Sequence, residues 1–389
     1  MTTETSHGLS RILPAPATSR LAAAVLTFGA NVLCGRVLNV ASPRGPLFVT
    51  WGLTFDCNAY CSFCTTHKLH RAHPPGLSPE QALDIADQIA DAGTWVVGFT
   101  GGEVLMSPLL FPVVRRLKER GVVAYIVTNG LLLAEHAAEI VESGLDYVVV
   151  SLDSDDPREH DGQRRVAGLM DKALEGIERL RDLRGRRRRP MVKAVTMLTA
   201  HNLDRIGAIF DVLGRHADVV AAQPIVWGYG EHPHGRSKER LGELVFGPDE
   251  RERVEAMLAR AARDHPMLRQ SYFRRIPSYW FSPEDLAARI PCWSPFLRLT
   301  INPEGQVLHC GTRFGMVGDL RRERLMDTWN GEEMRRQRET VRLRRNNCIC
   351  WSSDTAFNNL MDRLRLPNLL PTWHRRQDHA RNGDDQATG

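Results

Sequence analysis

Three cysteines spaced closely behind a predicted strand constrain this chain more than any other feature of its sequence. They are Cys57, Cys61 and Cys64, and they follow the apolar stretch 46–55, which predicts a buried strand. Thiolates this close together on one loop can hold a single metal centre. A structural zinc site requires four ligands, whereas three cysteines on a four-iron cluster leave one iron open to a substrate or cofactor. A zinc knuckle or unconnected core thiols are the alternative interpretations.

The spacing of three and then two residues between these cysteines resembles the radical S-adenosylmethionine (SAM) superfamily. The resemblance implies that the open iron binds SAM, and that an electron from the cluster cleaves SAM to a 5′-deoxyadenosyl radical. Phe63, directly before the third cysteine, matches the family's residue beside the adenine. The resemblance also implies a flavodoxin- or ferredoxin-type electron donor.

A second match to this family follows the next predicted strand, 95–100. The residues Gly101, Gly102 and Glu103 resemble the family's Gly-Gly-Glu-Pro motif, which holds the SAM amino group. Glycines let a backbone approach a ligand closely, and a carboxylate suits an ammonium group. Val104 replaces the proline of the family motif, a change that affects the stiffness of the loop more than its chemistry.

Predicted strands alternate with predicted helices through the first part of the chain. Ser78 and Gln81 predict a capping box at the start of the first of these helices. The alternation predicts an α/β fold with a parallel sheet, whose functional residues gather on the loops after the strands. The superfamily resemblance implies a partial (β/α)6 barrel. The predicted strands cover residues 46–55, 95–100, 122–128, 147–152, 191–198 and 219–226.

The resemblance also implies further SAM contacts at the ends of later strands. Ser151 and Arg164 would contact the SAM ribose and carboxylate, and Thr199 would line the far side of the cofactor. Each of these could instead be an ordinary turn residue. The sequence identifies no catalytic acid, base or hydrogen donor. The predicted cofactor-binding residues are Phe63, Gly101, Gly102, Glu103, Ser151, Arg164 and Thr199.

A second group of cysteines lies beyond the predicted barrel. Apolar–polar alternation on either side of residues 302–305 predicts a β-hairpin, and a helix is predicted over 325–342. This pattern resembles the twitch domain, the shorter relative of the SPASM domain, and implies an auxiliary four-iron cluster. Zinc is the alternative metal, and the unusual Cys-x-Cys end leaves open whether all four thiols are ligands. The predicted auxiliary ligands are Cys292, Cys310, Cys348 and Cys350, while Cys34 stands alone.

These features predict two domains joined by a helical bridge. The apolar segment 21–35 is too short to span a bilayer, so we expect it to pack on the barrel or to rest at a membrane surface. Aromatic residues within 272–281 would wall a substrate cavity or fill the core. The predicted division is an N-terminal extension with a disordered start (1–45), the barrel (46–230), the bridge (231–290), the twitch-like α+β domain (291–355) and a C-terminal segment with a disordered end (356–389).

The composition of the chain indicates its number of cores, its cellular compartment and the partners to expect. At 389 residues it can bury two cores. Its eight cysteines are clustered rather than spread as a disulfide framework, and no signal peptide is recognisable, so we expect a cytoplasmic protein. The net charge of +5 is mild, and the basic run 179–189 has no interleaved aromatics. We interpret it as a solvated loop and expect no nucleic acid partner.

The resemblance implies hydrogen abstraction as the first chemical step. Twitch enzymes that this chain resembles act on small polar molecules, including aminocyclitols in natural-product pathways. We therefore predict an oxidoreductase that dehydrogenates a small-molecule substrate, with the auxiliary cluster as electron acceptor. About 45 residues precede the barrel, too few for the peptide-binding module of many peptide maturases. The alternatives are a peptide maturase, a lipid- or isoprenoid-modifying enzyme and a non-catalytic zinc module.

Overall fold

A computed structural model describes residues 18–64, 66, 76–226, 241–310 and 315–343 of the chain. At its centre, these residues form one sheet of nine strands in the order β6-β5-β4-β3-β2-β1-β7-β8-β9. The seven strands from β6 to β7 run parallel, and β8 is antiparallel to both of its neighbours. The strands are β1 (Phe48–Gly52), β2 (Val96–Thr100), β3 (Val123–Thr128), β4 (Tyr147–Ser151), β5 (Met191–Leu198), β6 (Val219–Pro224), β7 (Arg298–Ile301), β8 (Gln306–Leu308) and β9 (Met316–Asp319).

Helices cover the outer face of the parallel strands and build the bridge to the C-terminal region. Strand residues such as Trp51 and helix residues such as Ile85 share one buried core on that face. The predicted α/β class is confirmed. The helices are α1 (Thr18–Ala30), α2 (Pro79–Asp91), α3 (Leu110–Glu119), α4 (Leu133–Glu142), α5 (Pro157–Arg164), α6 (Leu169–Arg184), α7 (Ile206–His216), α8 (Arg251–Asp264), α9 (Ser271–Arg274), α10 (Ile276–Phe281), α11 (Pro283–Arg289), α12 (Ser294–Leu297), α13 (Leu325–Asn330) and α14 (Glu332–Arg342).

The two faces of the sheet differ in their surroundings. Along β5, Val192 and Ala194 are fully buried against the outer helices, whereas the intervening Lys193 and Val195 are partly exposed. Successive strand side chains point to opposite faces of a sheet. The partly exposed series therefore faces the concave interior of the sheet.

The start of α2 follows the predicted capping box. The Ser78 hydroxyl accepts a hydrogen bond from the Gln81 amide at 3.2 Å, and the Gln81 side chain accepts one from the Ser78 amide at 2.9 Å. These contacts satisfy two backbone donors that a helix start otherwise leaves unpaired. The predicted helix start is confirmed.

The C-terminal hairpin continues the sheet of the barrel. Strand β7 pairs with β1 in parallel, with Thr300 beside Thr50, and β8 returns antiparallel to β7. The Asn302 side chain accepts hydrogen bonds from the amides of Glu304 and Gln306, which closes the turn. The predicted hairpin is confirmed. The helix predicted over 325–342 is two helices, α13 and α14, because Gly331 between them has an extended backbone.

The N-terminal extension packs through polar side chains and through Phe28 and Val32, which contact the hydrophobic cluster around Trp293. Helix α1 continues into a π-helical segment, Asn31–Leu38, whose Asn31 side chain donates to the Gly45 carbonyl at 2.7 Å. Arg36 donates to the Cys292 carbonyl at 3.4 Å and so links this segment to the auxiliary cysteines. Within the described ranges, no helix is long and apolar enough to cross a membrane. Large apolar side chains face outward at Val25, Leu26, Leu33, Val37, Leu38 and Val40.

The bridge helices form a second core beside the cysteine loop. Tyr272, Phe273, Tyr279 and Trp280 are each at most 7% exposed, and they share this core with Phe63. Of the two roles expected for these aromatics, core packing is the one observed for these four. They hold the bridge against the carboxyl ends of β5 and β6.

Part of the basic run 179–189 is neutralised within the fold. Arg184 and Asp218 form an ion pair at 2.5 Å, and Arg189 pairs with the buried Asp146 at 2.6 Å. These contacts tie the end of α6 to the amino-terminal ends of β4 and β6. The run therefore serves the packing of the loops on the side of the sheet opposite the three clustered cysteines.

Candidate active site

The loop after β1 brings three thiols together at the carboxyl end of the parallel strands. Cys61 is buried, whereas Cys57 and Cys64 are partly exposed. The Cys64 amide donates to the Cys61 carbonyl at 3.1 Å, which folds the end of the loop into a turn. Cys57 and Cys61 each interact electrostatically with Cys64 and with each other. The three predicted ligands therefore lie close enough on one loop to interact electrostatically.

The surroundings of these thiols suit metal ligands rather than free nucleophiles. Burial raises the pKa of the Cys57 thiol, and it raises the pKa of Cys61 to about 11. Desolvation disfavours the charged thiolate, and the nearby Arg164 guanidinium opposes that effect only in part. Thiols in such a site ionise when a bound metal supplies positive charge. The loop fits a metal centre.

Within the described residues, no three His, Cys, Asp or Glu side chains have the spacing of a site for a single metal ion. The assignment of a four-iron cluster to the cysteine loop stays a prediction.

Backbone hydrogen bonds fix the cysteine loop to α5. The amides of Tyr60 and Ser62 donate to the carbonyls of Arg164 and Gln163 at 3.2 and 2.9 Å. Both donors lie between the cysteines, so the end of α5 determines how the loop presents its thiols. Any movement of α5 would move the ligands with it.

Two glycines after β2 allow the next loop to pass directly against the cysteine loop. Gly101 has a φ of +132°, and a Cβ built on it would lie 2.4 Å from the Thr54 carbonyl oxygen. A Cβ on Gly102 would lie 1.9 Å from the Asp56 carbonyl oxygen. The Glu103 amide donates to that same carbonyl at 2.7 Å. Side chains at both glycine positions are excluded by this contact.

The Glu103 carboxylate is enclosed by donors of the protein itself. It is 1% exposed and accepts hydrogen bonds from the Thr128 hydroxyl at 2.7 Å, the Asn129 amide at 2.8 Å and the Leu105 amide at 3.1 Å. Burial raises the pKa of this carboxyl group. The carboxylate therefore ties together the ends of β2 and β3. Its contact with the SAM ammonium stays a prediction.

Arg164 forms a buried ion pair beside the cysteine loop. Its Nε and Nη2 atoms donate to Asp153 Oδ2 at 2.8 and 2.7 Å, and Asp153 is fully buried at the end of β4. The guanidinium also lies 5.7 Å from the centre of the Phe63 ring. Asp153 Oδ1 accepts from the Met197 amide at 2.9 Å, so the pair joins β4, β5 and α5.

Asp153 and His160 also support this site, although no sequence motif indicated a role for either residue. His160 Nδ1 accepts a hydrogen bond from the Asp153 amide at 3.1 Å. Burial lowers the pKa of His160 to about 4, so the ring is neutral near pH 7. The signal that could have revealed it is the spacing of four residues between His160 and Arg164, which places both on one face of α5.

The other two predicted SAM contacts lie on neighbouring strands. Ser151 ends β4 and is partly exposed on the concave face. Thr199 follows β5 and is fully buried, and its amide donates to the Asn202 side chain at 2.9 Å. Both therefore stand at the carboxyl end of the sheet, with the cysteine loop. Their contacts with SAM stay predictions.

A cavity of about 670 Å³ opens beside the cysteine loop. Ser62, which lies between two of the cysteines, contributes to its wall, as do Gln163 of α5 and Asn202 after β5. Its volume lies within the range of cofactor and small-molecule sites. None of the three clustered cysteines and none of the predicted SAM contacts lines this cavity, so it lies beside the predicted cofactor site.

The auxiliary cysteines that the structure describes lie at the other end of β1. The pairing of β7 with β1 and of β8 with β7 places Cys310 and Cys292 near the amino-terminal end of these strands. The Ser294 hydroxyl donates to the His309 carbonyl at 3.0 Å, which holds their neighbouring residues together. Five residues of β1 span about 16 Å at 3.3 Å per residue. Cys348 and Cys350 lie outside the described residues.

Two protein-family models match this chain. The model of the radical SAM superfamily matches residues 51–213, which include the end of β1, the cysteine loop and β2 to β5. The model described as the SPASM iron–sulfur cluster-binding domain matches residues 292–352, which contain all four predicted auxiliary cysteines.

The alignments with curated relatives cover only part of the length of each relative. The AdoMet-dependent heme synthase of Nitratidesulfovibrio vulgaris is 30% identical over 148 residues, which are 38% of this chain and 40% of that protein. The Fe-coproporphyrin III synthase of Methanosarcina barkeri is 28% identical over 279 residues, which are 70% of this chain and 63% of that protein. The chain therefore spans less than two thirds of either relative.

Solved structures share the fold at low sequence identity. Streptococcus suis SuiB bound to S-adenosylmethionine aligns with a TM-score of 0.57 at 14% identity, over 78% of this chain and 69% of that chain. Native anSMEcpe with bound AdoMet aligns with a TM-score of 0.56 at 12% identity, over 83% of this chain and 99% of that chain. At these identities the likeness concerns the fold alone.

Proposed function

The chain belongs to the radical SAM superfamily, in the part that carries a SPASM iron–sulfur domain, and we propose that it oxidises a small molecule by hydrogen abstraction. SAM and four-iron clusters are its cofactors. The observation that carries the proposal is the placement of two cysteine groups at opposite ends of β1, with the concave interior of the sheet between them.

Each cofactor would contribute one part of this oxidation. When bound, the catalytic cluster with SAM supplies a 5′-deoxyadenosyl radical, and the auxiliary cluster supplies an acceptor for one electron. The substrate then loses one hydrogen atom, one electron and one proton, which together amount to dehydrogenation. We assign Cys57, Cys61 and Cys64 to the first cluster, and Cys292 and Cys310 with Cys348 and Cys350 to the second.

The protein's own residues hold the cofactor loop in place during this chemistry. Arg164 and its partner Asp153 lock α5 against β5, and α5 in turn fixes the amides of the cysteine loop. The bridge aromatics close the second core over Phe63 and exclude water from that side. A water-excluded site protects a reactive radical from side reactions.

The named relatives support a small molecule over a peptide as substrate. Both are synthases of iron-containing tetrapyrroles by name, heme and Fe-coproporphyrin III. From these names we infer for this chain only that its substrate is a small organic molecule. A peptide or lipid substrate remains the competing assignment, and the exposed apolar side of the N-terminal extension is the feature that fits a lipid.

A substrate screen tests this proposal directly. The chain, reconstituted with iron and sulfide, is incubated with SAM, a reductant and either a small-molecule panel that includes Fe-coproporphyrin III or a peptide panel. We expect a small molecule to raise 5′-deoxyadenosine formation and to lose two hydrogens per deoxyadenosine formed. Stimulation by peptides alone, or a product with no loss of hydrogen, would contradict the proposal.

Replacing Glu103 by Gln is expected to weaken both the fold and SAM binding. A Gln side chain offers one acceptor oxygen, so at least one of the three donors around Glu103 loses its partner. Leaving a buried donor unpaired costs about 1–3 kcal/mol of unfolding free energy. Loss of a charge-assisted bond to SAM would weaken binding by roughly ten- to a hundred-fold, since such bonds contribute about 1.5–3 kcal/mol.

Denaturant unfolding and equilibrium SAM binding separate these two effects. Glu135→Gln on the exposed side of α4 is the matched control, and it should change neither quantity. Unchanged SAM affinity in Glu103→Gln together with reduced stability would leave Glu103 with a purely structural role.

A further inference from the structure

The concave face of the parallel strands carries positive charge and no carboxylate. On this face, β5 contributes Lys193 and β7 contributes Arg298, each partly exposed. Among the described residues of the seven parallel strands, none of those on the concave face is Asp or Glu. The described strand residues that line the interior between the two cysteine groups therefore carry a net positive charge.

Lys193 has no counter-ion within the described part of the chain. It lies beside Val149 of β4 and Val219 of β6, and its ammonium makes no hydrogen bond or ion pair with a described residue. Burial alone lowers the pKa of this lysine, with no carboxylate nearby to raise it. An interior ammonium without a partner is costly, because desolvation penalises an isolated charge.

Arg298 adds a second positive charge to this face, near two stacked tyrosine rings. Its Nη2 atom donates to the Thr50 hydroxyl at 2.7 Å, and its charge acts on Tyr125. The rings of Tyr125 and Tyr147 stack at 5.3 Å. Tyr125 lies directly over Gly98, where a Cβ would come within 2.3 Å of its ring. This face of the sheet thus carries two stacked aromatic rings on β3 and β4, with one cation on β5 and one on β7.

We propose that this interior binds the oxyanion of an organic substrate, a carboxylate or a phosphate ester, with Lys193 and Arg298 as its cationic partners. The inference rests on the proposed function, because it assigns the substrate class of the same site. A cleft lined by one sign of charge raises the local concentration of opposite charge by about tenfold or more. The bound anion would supply the counter-ion that Lys193 lacks.

Labelling with a matched pair of aldehydes tests the inference. The cluster-loaded chain with SAM is treated with pyridoxal 5′-phosphate or with pyridoxal, which lacks the phosphate, and the lysine imines are reduced with cyanoborohydride. Peptide mass spectrometry then quantifies each modified lysine. Pyridoxal reacts less with every lysine, because its free hydroxyl closes on the aldehyde to a hemiacetal, so each labelling ratio is compared with that of exposed Lys172 on α6. We expect the ratio of labelling by the phosphate ester to labelling by pyridoxal to be about tenfold higher at Lys193 than at Lys172.

Two further experiments test the role of Arg298 and identify the type of anion that binds. Arg298→Met should lower the ratio at Lys193 without changing that at Lys172. Protection of Lys193 by inorganic phosphate would identify a phosphate site, and protection by malonate a carboxylate site. A labelling ratio at Lys193 equal to that at Lys172 would overturn the inference, and so would no labelling of Lys193 while Lys172 reacts.

The labelling outcome is independent of the outcome of the oxidation proposal. The labelling requires no turnover. Selective labelling of Lys193 without substrate oxidation would support the anion site and contradict the oxidation proposal. Oxidation of a neutral substrate, with no anion selectivity at Lys193, would support the oxidation proposal and contradict the anion site.

Discussion

A variant with Cys57, Cys61 and Cys64 all replaced by Ala is expected to form no 5′-deoxyadenosine from SAM. The three thiols lie on one loop, and burial raises the pKa of Cys57 and Cys61, so these two ionise when a bound metal supplies positive charge. Without them no open iron exists to bind SAM, and reductive cleavage has no other route in this chain. The expected effect is complete loss, measured by chromatography of deoxyadenosine after reduction.

Iron analysis distinguishes loss of one cluster from loss of the fold. We expect the iron content of this variant to fall from about eight to about four per chain, since each cluster holds four. Cys34→Ala is the matched control, because Cys34 lies apart from the loop on the N-terminal extension, and it should retain full iron and full cleavage. Unchanged deoxyadenosine formation in the triple variant would contradict the assignment of this loop as the site of the SAM-binding cluster.

Replacing both Cys292 and Cys310 by Ala is expected to stop product formation while SAM cleavage continues. The two positions lie at the opposite end of β1 from the catalytic loop, so their loss leaves that loop's contacts with α5 intact. The substrate radical would then lack its electron acceptor. Deoxyadenosine and product are measured in the same reaction, and their ratio should change from about one to a large excess of deoxyadenosine.

Metal analysis and spectroscopy examine the auxiliary site itself. With four protein ligands no auxiliary iron is open, so added substrate should leave the spectrum of this cluster unchanged. Zinc in place of iron would reduce the domain to a structural role. A spectrum that changes with substrate would mean that one cysteine is not a ligand, and the Cys348–Cys350 pair is then the first to test.

Local patterns in the sequence were sufficient to predict the elements that carry the site. The capping box at Ser78, the alternation along β5 and the turn at Asn302 each depend on residues close in sequence, and each is present. The closeness of the three clustered cysteines on one loop follows in the same way from their spacing. Such features need no knowledge of distant partners.

Contacts between distant residues were beyond the reach of these patterns. Arg298 and Thr50 are 248 positions apart, and no local signal indicates that β7 pairs with β1. The enclosure of Glu103 by Thr128 and Asn129 depends likewise on the neighbouring strand. Sequence spacing predicted which residues gather at the site, whereas their hydrogen-bond partners are a property of the assembled sheet.

The parallel pairing of β7 with β1 has a consequence for the solubility of the chain. With β7 in place, β1 is hydrogen-bonded on both sides, to β2 and to β7. Without the C-terminal strands, β1 would become an exposed edge strand with the apolar sequence Phe-Val-Thr-Trp-Gly and a row of unpaired amides. Such an edge is a template for intermolecular β-pairing and aggregation. The iron–sulfur domain thus protects the barrel from self-association, whatever its part in electron transfer.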